Sequence, residues 1–484
     1  MARVSLLIIV SVAVVLRVLL ALRGGQYYLV DEVRSYRATT FTLSLYHQDW
    51  PAAAALLFEG AHPGYTVLAA PGAVVRLLLP DGTAGERLAA ALLGLYSAGI
   101  IVAIYGIARK TGQDETGALL AALLAAAAGS LFYYARHFVP YDSALLLALL
   151  ALWLCLEARP ALWRLIGGGV LVTASFLTYS GGWMLLAVVG LLLLLYGLRG
   201  SWPARAGEII RRGLGLGIGL GVVAVLVLAL ARVGGIALEA YVNRAAAFSE
   251  TINHGSYAEG WSLVWEYLWH SEGLLLLVWL AGAGLALWHM VRTRRWNAAL
   301  YWLASLVLLY GLMAVTSSVL LRFVMYGRLA RQLTPLFILA AAQGLRPLWP
   351  RGGWLRPALV GGVLLLAALN LYVPLAQVFP RDVLAQQAAR YPAYAPYTTL
   401  ISEYRLDDIA ARPPNFEAAP YLLVNMLNSW YPIVGTQPLP AGEVLYRAPH
   451  PVQYRPYQYE GYPYDQRALI QGSVTGMLVL RPGP

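Results

Sequence analysis

The chain has 484 residues, of which 59% are hydrophobic and only 12% charged, with a formal charge of +11. A soluble domain of this size needs more charge to cover its own surface, whereas repeated apolar runs of about 17–22 residues describe a polytopic helical membrane protein. The positive charge lies between those runs, which points to anionic lipid and the positive-inside bias and not to nucleic acid.

In chain order, the first apolar run, Val4–Leu22, lacks a small-residue cleavage site and reads as a retained span, not a signal peptide. Further spans are expected near 87–108, 116–134, 142–157, 165–179, 183–198, 213–231, 273–291, 297–316, 332–346 and 357–375, about eleven in all. The single cysteine, Cys155, lies inside one of them, which excludes an intramolecular disulfide. One further run, Gly64–Leu79, is short, carries Pro71 and Arg76, and has Pro63 and Pro80 at its edges.

Reading that run as a juxtamembrane helix in the interface leaves the basic loops on the side of Met1. These loops hold Arg109 and Lys110; Arg159 and Arg164; Arg199, Arg205, Arg211 and Arg212; Arg292, Arg294 and Arg295; and Arg346, Arg351 and Arg356. Reading it as a span destroys that agreement. The expected topology in a plasma or inner membrane therefore has a cytoplasmic N-terminus. The first loop (23–86), the tryptophan-rich stretch near 241–270 and everything after residue 375 then face the extracytoplasmic side. Arg34, Arg136, Arg322, Arg328 and Arg331 break the charge bias. Phosphate binding is one reason for an outer arginine, and snorkelling to lipid headgroups is the other.

Trp261, Trp265 and Trp269, spaced i, i+4 and i+8, stripe one helix face and read as an interfacial anchor in preference to a lid. After Leu375 the composition turns rich in Pro and Tyr, with β-like runs at 421–424 and 477–480. The expected architecture is an all-α transmembrane domain over 1–375, with juxtamembrane helices in its first outer loop. A small extracytoplasmic α+β or β-rich domain over 376–484 follows. Tyr454, Tyr457, Tyr459, Tyr462 and Tyr464 read as core packing of that domain in preference to a sugar-stacking face.

Three segments carry chemistry-bearing residues at the expected outer face. Val30-Asp31-Glu32-Val33-Arg34-Ser35-Tyr36 places two carboxylates and an arginine at the exit of the first span, where a half-lipid substrate meets water. His62-Pro63-Gly64-Tyr65 opens the interfacial segment, with the imidazole either at a phosphate or acceptor or merely at an N-terminal turn. Tyr134 to Asp142 is a short loop with Arg136, and Asp142 there caps the following helix or joins a shared site. Transfer of a sugar from a lipid phosphate needs a base for the acceptor and cations for the departing phosphate. Asp31 and Glu32 supply the carboxylates, and Arg34, Arg136, Arg328 and Arg331 the clamp.

These residues resemble motifs of the GT-C class of integral-membrane glycosyltransferases, especially the protein O-mannosyltransferase and aminoarabinose-transferase group. Asp31-Glu32-Val33-Arg34 resembles that group's Asp-Glu motif in the first outer loop. His62-Pro63-Gly64-Tyr65 resembles its His/Lys-Pro-Pro-Leu segment, and Arg87 to Gly94 its Arg-Leu-Pro-Ser-Ala-Leu-x-Gly stretch. Tyr133 to Asp142 resembles its Tyr-x-Arg loop with a second acidic residue, and Arg328 to Pro335 its Arg-Tyr-Leu-Leu-Pro stretch. The motifs are short, and their order relative to the spans is the specific part. Gly64 stands where proline is usual, and Tyr36 falls one place late.

The resemblance implies a polyprenyl-phosphate-linked sugar as donor substrate, inversion at the sugar carbon, and a site at the outer membrane face. Asp31 matches the catalytic or acceptor-binding aspartate, with Glu32 beside it. Arg34, Arg136, Arg328 and Arg331 stand as donor-phosphate ligands, and Tyr36, His62, Tyr65 and Asp142 as substrate contacts. The acceptor is a lipid, a protein or a polysaccharide. No cofactor is expected, and no carboxylate or histidine cluster calls for a divalent metal. The rival readings are an oligosaccharyltransferase-like enzyme, a lipid or polysaccharide transporter, and a plain membrane anchor for the tail. A transporter favours charged or broken helices within the membrane, and the apolar runs give no sign of either.

Overall fold

The computed structural model describes residues 2–23, 34–60, 62–79, 83–237, 239–243, 246, 260–294, 298–323, 325–348 and 355–377, and four strand segments beyond them. The membrane part is built from helices. α1 (Ala2–Leu22), α2 (Arg34–Tyr46), α3 (Trp50–Phe58) and α4 (Pro63–Leu78) come first. They are followed by α5 (Thr83–Leu93), α6 (Leu95–Lys110), α7 (Glu115–Ala127), α8 (Gly129–Tyr133) and α9 (Tyr141–Cys155). α10 (Leu162–Thr178), α11 (Trp183–Leu195) and α12 (Trp202–Val233) lead to α13 (Leu263–Glu272) and α14 (Leu274–Thr293). α15 (Ala298–Ala314), α16 (Thr334–Leu345) and α17 (Leu355–Tyr372) follow.

Six helical stretches among the described residues are long and apolar enough to cross a bilayer: Val4–Leu22, Ala84–Lys110, Trp202–Val233, Leu274–Thr293, Ala298–Val319 and Pro357–Leu375. A seventh is added if α7 and the stretch Gly129–Arg136, bent by 60° at Ala128, count together as one span. Each of the eleven segments expected from hydropathy lies on a helix or a helix pair. Four are shorter than a bilayer-spanning length: α9, α10, α11 and α16, the last with 12 residues. α4 has 16 residues, about 24 Å of helix against a hydrocarbon thickness of about 30 Å.

Two expectations about the interior need correction. The segment 116–134 is not one straight helix, because the chain breaks at Ala128. A charged residue also lies inside an apolar helix: Arg17 of α1 is fully buried, donates from Nε to Ser97 Oγ at 2.8 Å, and lies 5.5 Å from the ring of Phe132. Ser97 in turn donates to the carbonyl of Leu131 at 2.6 Å, so α1, α6 and the broken segment are tied together.

A helix break leaves backbone N–H groups without partners, which apolar surroundings punish. Glu272 supplies the partners: its carboxylate accepts the N–H groups of Gly129 and Ser130, each at 2.9 Å, and the side-chain amide of Asn370 at 3.3 Å. Gly273 (φ +53°) makes the left-handed turn that starts α14 directly after this carboxylate. Close helix contact is set by glycine too. Any Cβ at Gly344 of α16 meets the backbone of Gly282 in α14, which lets α16 sit wholly inside the bundle.

Of the five loops assigned to the basic side by charge, four are joined by bonds among the described residues: the first to the second and the last, and the second to the third. Lys110 donates to Glu157 at 2.9 Å, Arg164 pairs with the same carboxylate, and Lys110 with its charge-assisted bond holds the Glu157 carboxyl below the usual range. Arg212, fully buried, donates to the carbonyls of Ala158 (2.6 Å), Tyr196 (2.7 Å) and Leu193 (3.1 Å). Arg346 reaches Asp114 at 3.1 Å. The loops 133–141 and 179–182 and the stretch 325–333 lie at the other ends of these helices.

Beyond Gln377 the described elements are β1 (Ala410–Ala411), β2 (Leu422–Asn425), β3 (Gly442–Pro449) and β4 (Thr475–Pro482). They form an antiparallel sheet in the order β1-β2-β4-β3, with Leu423 opposite Val479. The two β-like runs of the sequence fall on β2 and β4.

Candidate functional site

The residues that converge come from four separated stretches. The 3-10 turn Gly327–Leu333 carries Arg328, Arg331 and Gln332, and α9 begins with Tyr141 and Asp142. Tyr179 ends α10, and His62 precedes α4. Arg331 and Asp142 form a buried ion pair. The guanidinium lies 4.7 Å from the ring centre of Tyr134 and 5.9 Å from that of Tyr141. Arg328 lies 4.5 Å from Tyr326 and 5.9 Å from Tyr141.

An aromatic chain connects the loops. His62 packs on Tyr179 at 5.6 Å, Tyr179 on Tyr141 at 4.9 Å, and Tyr141 on Tyr134 at 5.1 Å. Tyr134 continues to Tyr133 at 5.0 Å, and Tyr133 to His137 at 5.0 Å. Rings with a polar atom at the rim suit a boundary where lipid gives way to water.

A narrow pocket with an open mouth lies beneath this chain. Arg328, Arg331, Gln332, Tyr141 and Tyr179 form its polar end, while Leu145, Leu185, Leu186 and Leu329 form its apolar walls. From Tyr141 to Leu145 it descends one turn of α9, about 6 Å. Two nitrogens of Arg331, Nε and Nη1, have no hydrogen-bond partner although they are buried. A cationic fork with unused donors, above leucine walls, is chemically fitted to an oxyanion on an apolar chain.

Several expectations need restating. Asp142 does not cap its helix: Pro140 holds the cap position, and the carboxylate turns to Arg331 instead. Arg331 is therefore already neutralised in part, and only Nε and Nη1 remain as unused donors. Arg136 is fully buried, donates to His137 Nε2 at 2.9 Å and lies 5.0 Å from the Tyr133 ring, but it does not line the pocket. Tyr65 belongs to an apolar cluster with Ala21, Ala69, Ala89 and Phe138, away from the pocket lining. Arg322 is exposed.

Asp31 and Glu32 lie outside the described residues, and Arg34 and Tyr36 fall in the first turn of α2. Trp261, Trp265 and Trp269 all present exposed surface, with Trp265 resting on Tyr310 at 5.4 Å. Among the described residues, no three His, Cys, Asp or Glu side chains come together as metal ligands.

Tyr179, Gln332, Arg17 and Glu272 were not singled out from sequence. A lone arginine in an apolar run was the available signal for Arg17, since intramembrane charge is rare without a purpose. The break at Tyr179-Ser180-Gly181-Gly182 between two apolar runs was the signal for Tyr179. No protein-family model and no curated protein matches this chain.

Proposed function

We propose that this chain is a membrane glycosyltransferase that moves a sugar from a polyprenyl-phosphate donor to an acceptor at the extracytoplasmic face. The observation that carries the reading is Arg331, with two buried unbonded donors at the polar end of a leucine-walled pocket. Arg328 and Arg331 hold the donor phosphate, and the prenyl chain runs along Leu145, Leu185 and Leu186. Asp142 orients Arg331. Arg136 shapes the 133–142 loop, and His62 and Tyr179 bound the acceptor side.

In the reaction the acceptor oxygen or nitrogen attacks the anomeric carbon as its proton passes to Asp31, with Glu32 beside it. The bond from that carbon to the phosphate oxygen breaks, and the prenyl phosphate leaves with the electron pair. Arg328 and Arg331 stabilise the charge that develops there, where low polarity strengthens the interaction. In this reading the eleven helical segments cross the membrane with a cytoplasmic N-terminus, and residues 376–484 belong to an α+β or β-rich domain outside. Mutual bonding of the basic loops at one end of the bundle supports that orientation.

The test is transfer in nanodiscs from a radiolabelled prenyl-phosphosugar to a hydrophilic or lipid acceptor fraction. Label that moves covalently and is lost in Arg331→Met combined with Asp142→Leu, apolar replacements that leave neither charge buried alone, supports the reading; donor that is never cleaved, with any acceptor fraction, overturns it. A lipid-phosphate transporter is the second reading, favoured by the 60° break at Ala128 and the buried Arg17. It predicts movement of intact donor between leaflets without any covalent product.

A further inference from the structure

The pocket lining carries a second unused polar atom, of opposite character to the first. Gln332 is 7% exposed and lines the pocket next to Arg331, which is 3% exposed. Its Nε2 donates to the carbonyl of Gly181 at 3.4 Å, and that contact fixes which way the amide points. The carbonyl oxygen Oε1 is left buried and without a hydrogen-bond partner. Reversing the amide sets its oxygen against the oxygen of Gly181, so the orientation is determined by chemistry.

A buried acceptor with no donor is costly, and native proteins seldom keep one without a water, an ion or a ligand to satisfy it. Among the described residues three glutamine oxygens are buried in this way, those of Gln113, Gln332 and Gln343, and that of Gln332 belongs to the pocket lining. Arg331 offers unused donors while Gln332 offers an unused acceptor. The two are consecutive residues on one 3-10 turn and line one pocket. Ser175, the serine of the lining, is already committed to the carbonyl of Ala144 at 2.8 Å.

We infer that Gln332 is a specificity-determining residue: its Oε1 accepts a hydrogen bond from a hydroxyl, or an N–H, on the group esterified to the lipid phosphate that Arg331 binds. The inference rests on the donor reading above and extends it to the headgroup. A site built to pair with a hydroxyl rejects the analogue lacking it, because the acceptor is then buried unsatisfied. The selected ligand is a hydroxylated phosphodiester on an apolar chain. A prenyl-linked sugar and phosphatidylglycerol both carry that chemistry.

The experiment measures binding of charge-matched lipids to the full-length protein in nanodiscs. The probes are a prenyl phosphoglucoside, the corresponding prenyl methyl phosphate, phosphatidylglycerol and its methyl ester analogue. Wild type is expected to bind the glucoside about 10-fold more tightly than the methyl ester. Gln332→Met, which keeps the length and removes the acceptor, is expected to abolish that preference while binding the methyl ester as wild type does.

Retained binding of the methyl ester also shows that the variant is folded, and Gln332→Asn serves as a second variant with an amide too short to reach. A preference that survives in both variants, or no preference in wild type, overturns the role of Gln332 while leaving the phosphate reading standing. Failure of either prenyl ester to bind, or methyl ester binding unaffected by Arg331→Ala, overturns the donor reading and this inference with it. A hydroxyl preference confined to the glycerol lipids overturns the donor reading and leaves the acceptor role of Gln332 standing, with a glycerol headgroup as its partner.

Discussion

Arg331 and Asp142, 189 positions apart in the chain, form a buried ion pair whose guanidinium lies against the rings of Tyr134 and Tyr141. Taking two charges out of water is costly, and removing one partner alone leaves the other buried without compensation. Arg331→Ala is therefore expected to destabilise the folded protein by about 3–5 kcal/mol, read as a drop in Tm in detergent. Asp142→Leu with Arg331→Met, an apolar replacement of both, recovers much of that stability but does not restore binding of prenyl phosphate. A double variant that binds the lipid as wild type does would remove the pair from the donor site.

The two proposed roles, base and phosphate clamp, separate by kinetics. Asp31→Asn is expected to abolish transfer while leaving the melting temperature and donor affinity near wild type, since it changes a proton acceptor and not a lipid contact. Arg328→Ala is expected to weaken donor binding by about 10-fold, in line with the loss of one charge-assisted contact. Equilibrium binding of labelled donor, run beside single-turnover transfer, distinguishes the two. Undiminished turnover in Asp31→Asn would end its role as base.

Glu272 makes a pH prediction. Burial pushes its carboxyl up to about 7, against the hydrogen bonds from Ser130, Gly129 and Asn370 that favour its charged form. An unfolded chain protonates the same group near pH 4.3, so between about 4.3 and 7 the folded state holds more protons. Stability contributed by this group is present in full below that window and falls as pH rises through it, by roughly 3 kcal/mol in total. Melting temperatures taken from pH 4.5 to 8 should decline accordingly, and Glu272→Gln should flatten the decline. An equal slope in the variant assigns the pH dependence to other groups.

Gly344 tests the packing that buries α16. A side chain there meets the backbone of Gly282 in α14, which has no flexible end to move aside. Gly344→Val is expected to cost about 3 kcal/mol or more and to displace α16, the helix that follows Arg331 and Gln332. Loss of lipid binding together with a lowered Tm is the expected outcome; a variant of normal stability would show that the two helices separate without difficulty.

Much of the architecture was legible in the sequence because it rests on local properties. A run of apolar residues long enough for a bilayer declares a helix wherever its neighbours are, and loop charge sorts the ends of those helices. For that reason the expected segments fall on helices, and the basic loops meet as Lys110, Glu157, Arg164 and Arg212. Even Arg328 and Arg331 could be marked out, as arginines against the charge bias of the expected topology, and Asp142 as a carboxylate at the start of a helix. What the tertiary structure decided is which group each of them faces. Asp142 had a local use as a helix cap and a distant one as the partner of Arg331, and only packing selects between them.

The same holds for the break at Ala128, whose orphan N–H groups are tolerated because Glu272 reaches them from 143 and 142 residues away. Gln332 is a further case, an ordinary amide until its Nε2 bonds to the carbonyl of Gly181 and its oxygen is left buried without a partner. Hydropathy is summed over neighbours along the chain, whereas hydrogen bonds and ion pairs are directional and short in reach. The first is therefore written in the order of residues, and the second exists only once distant segments have been brought together.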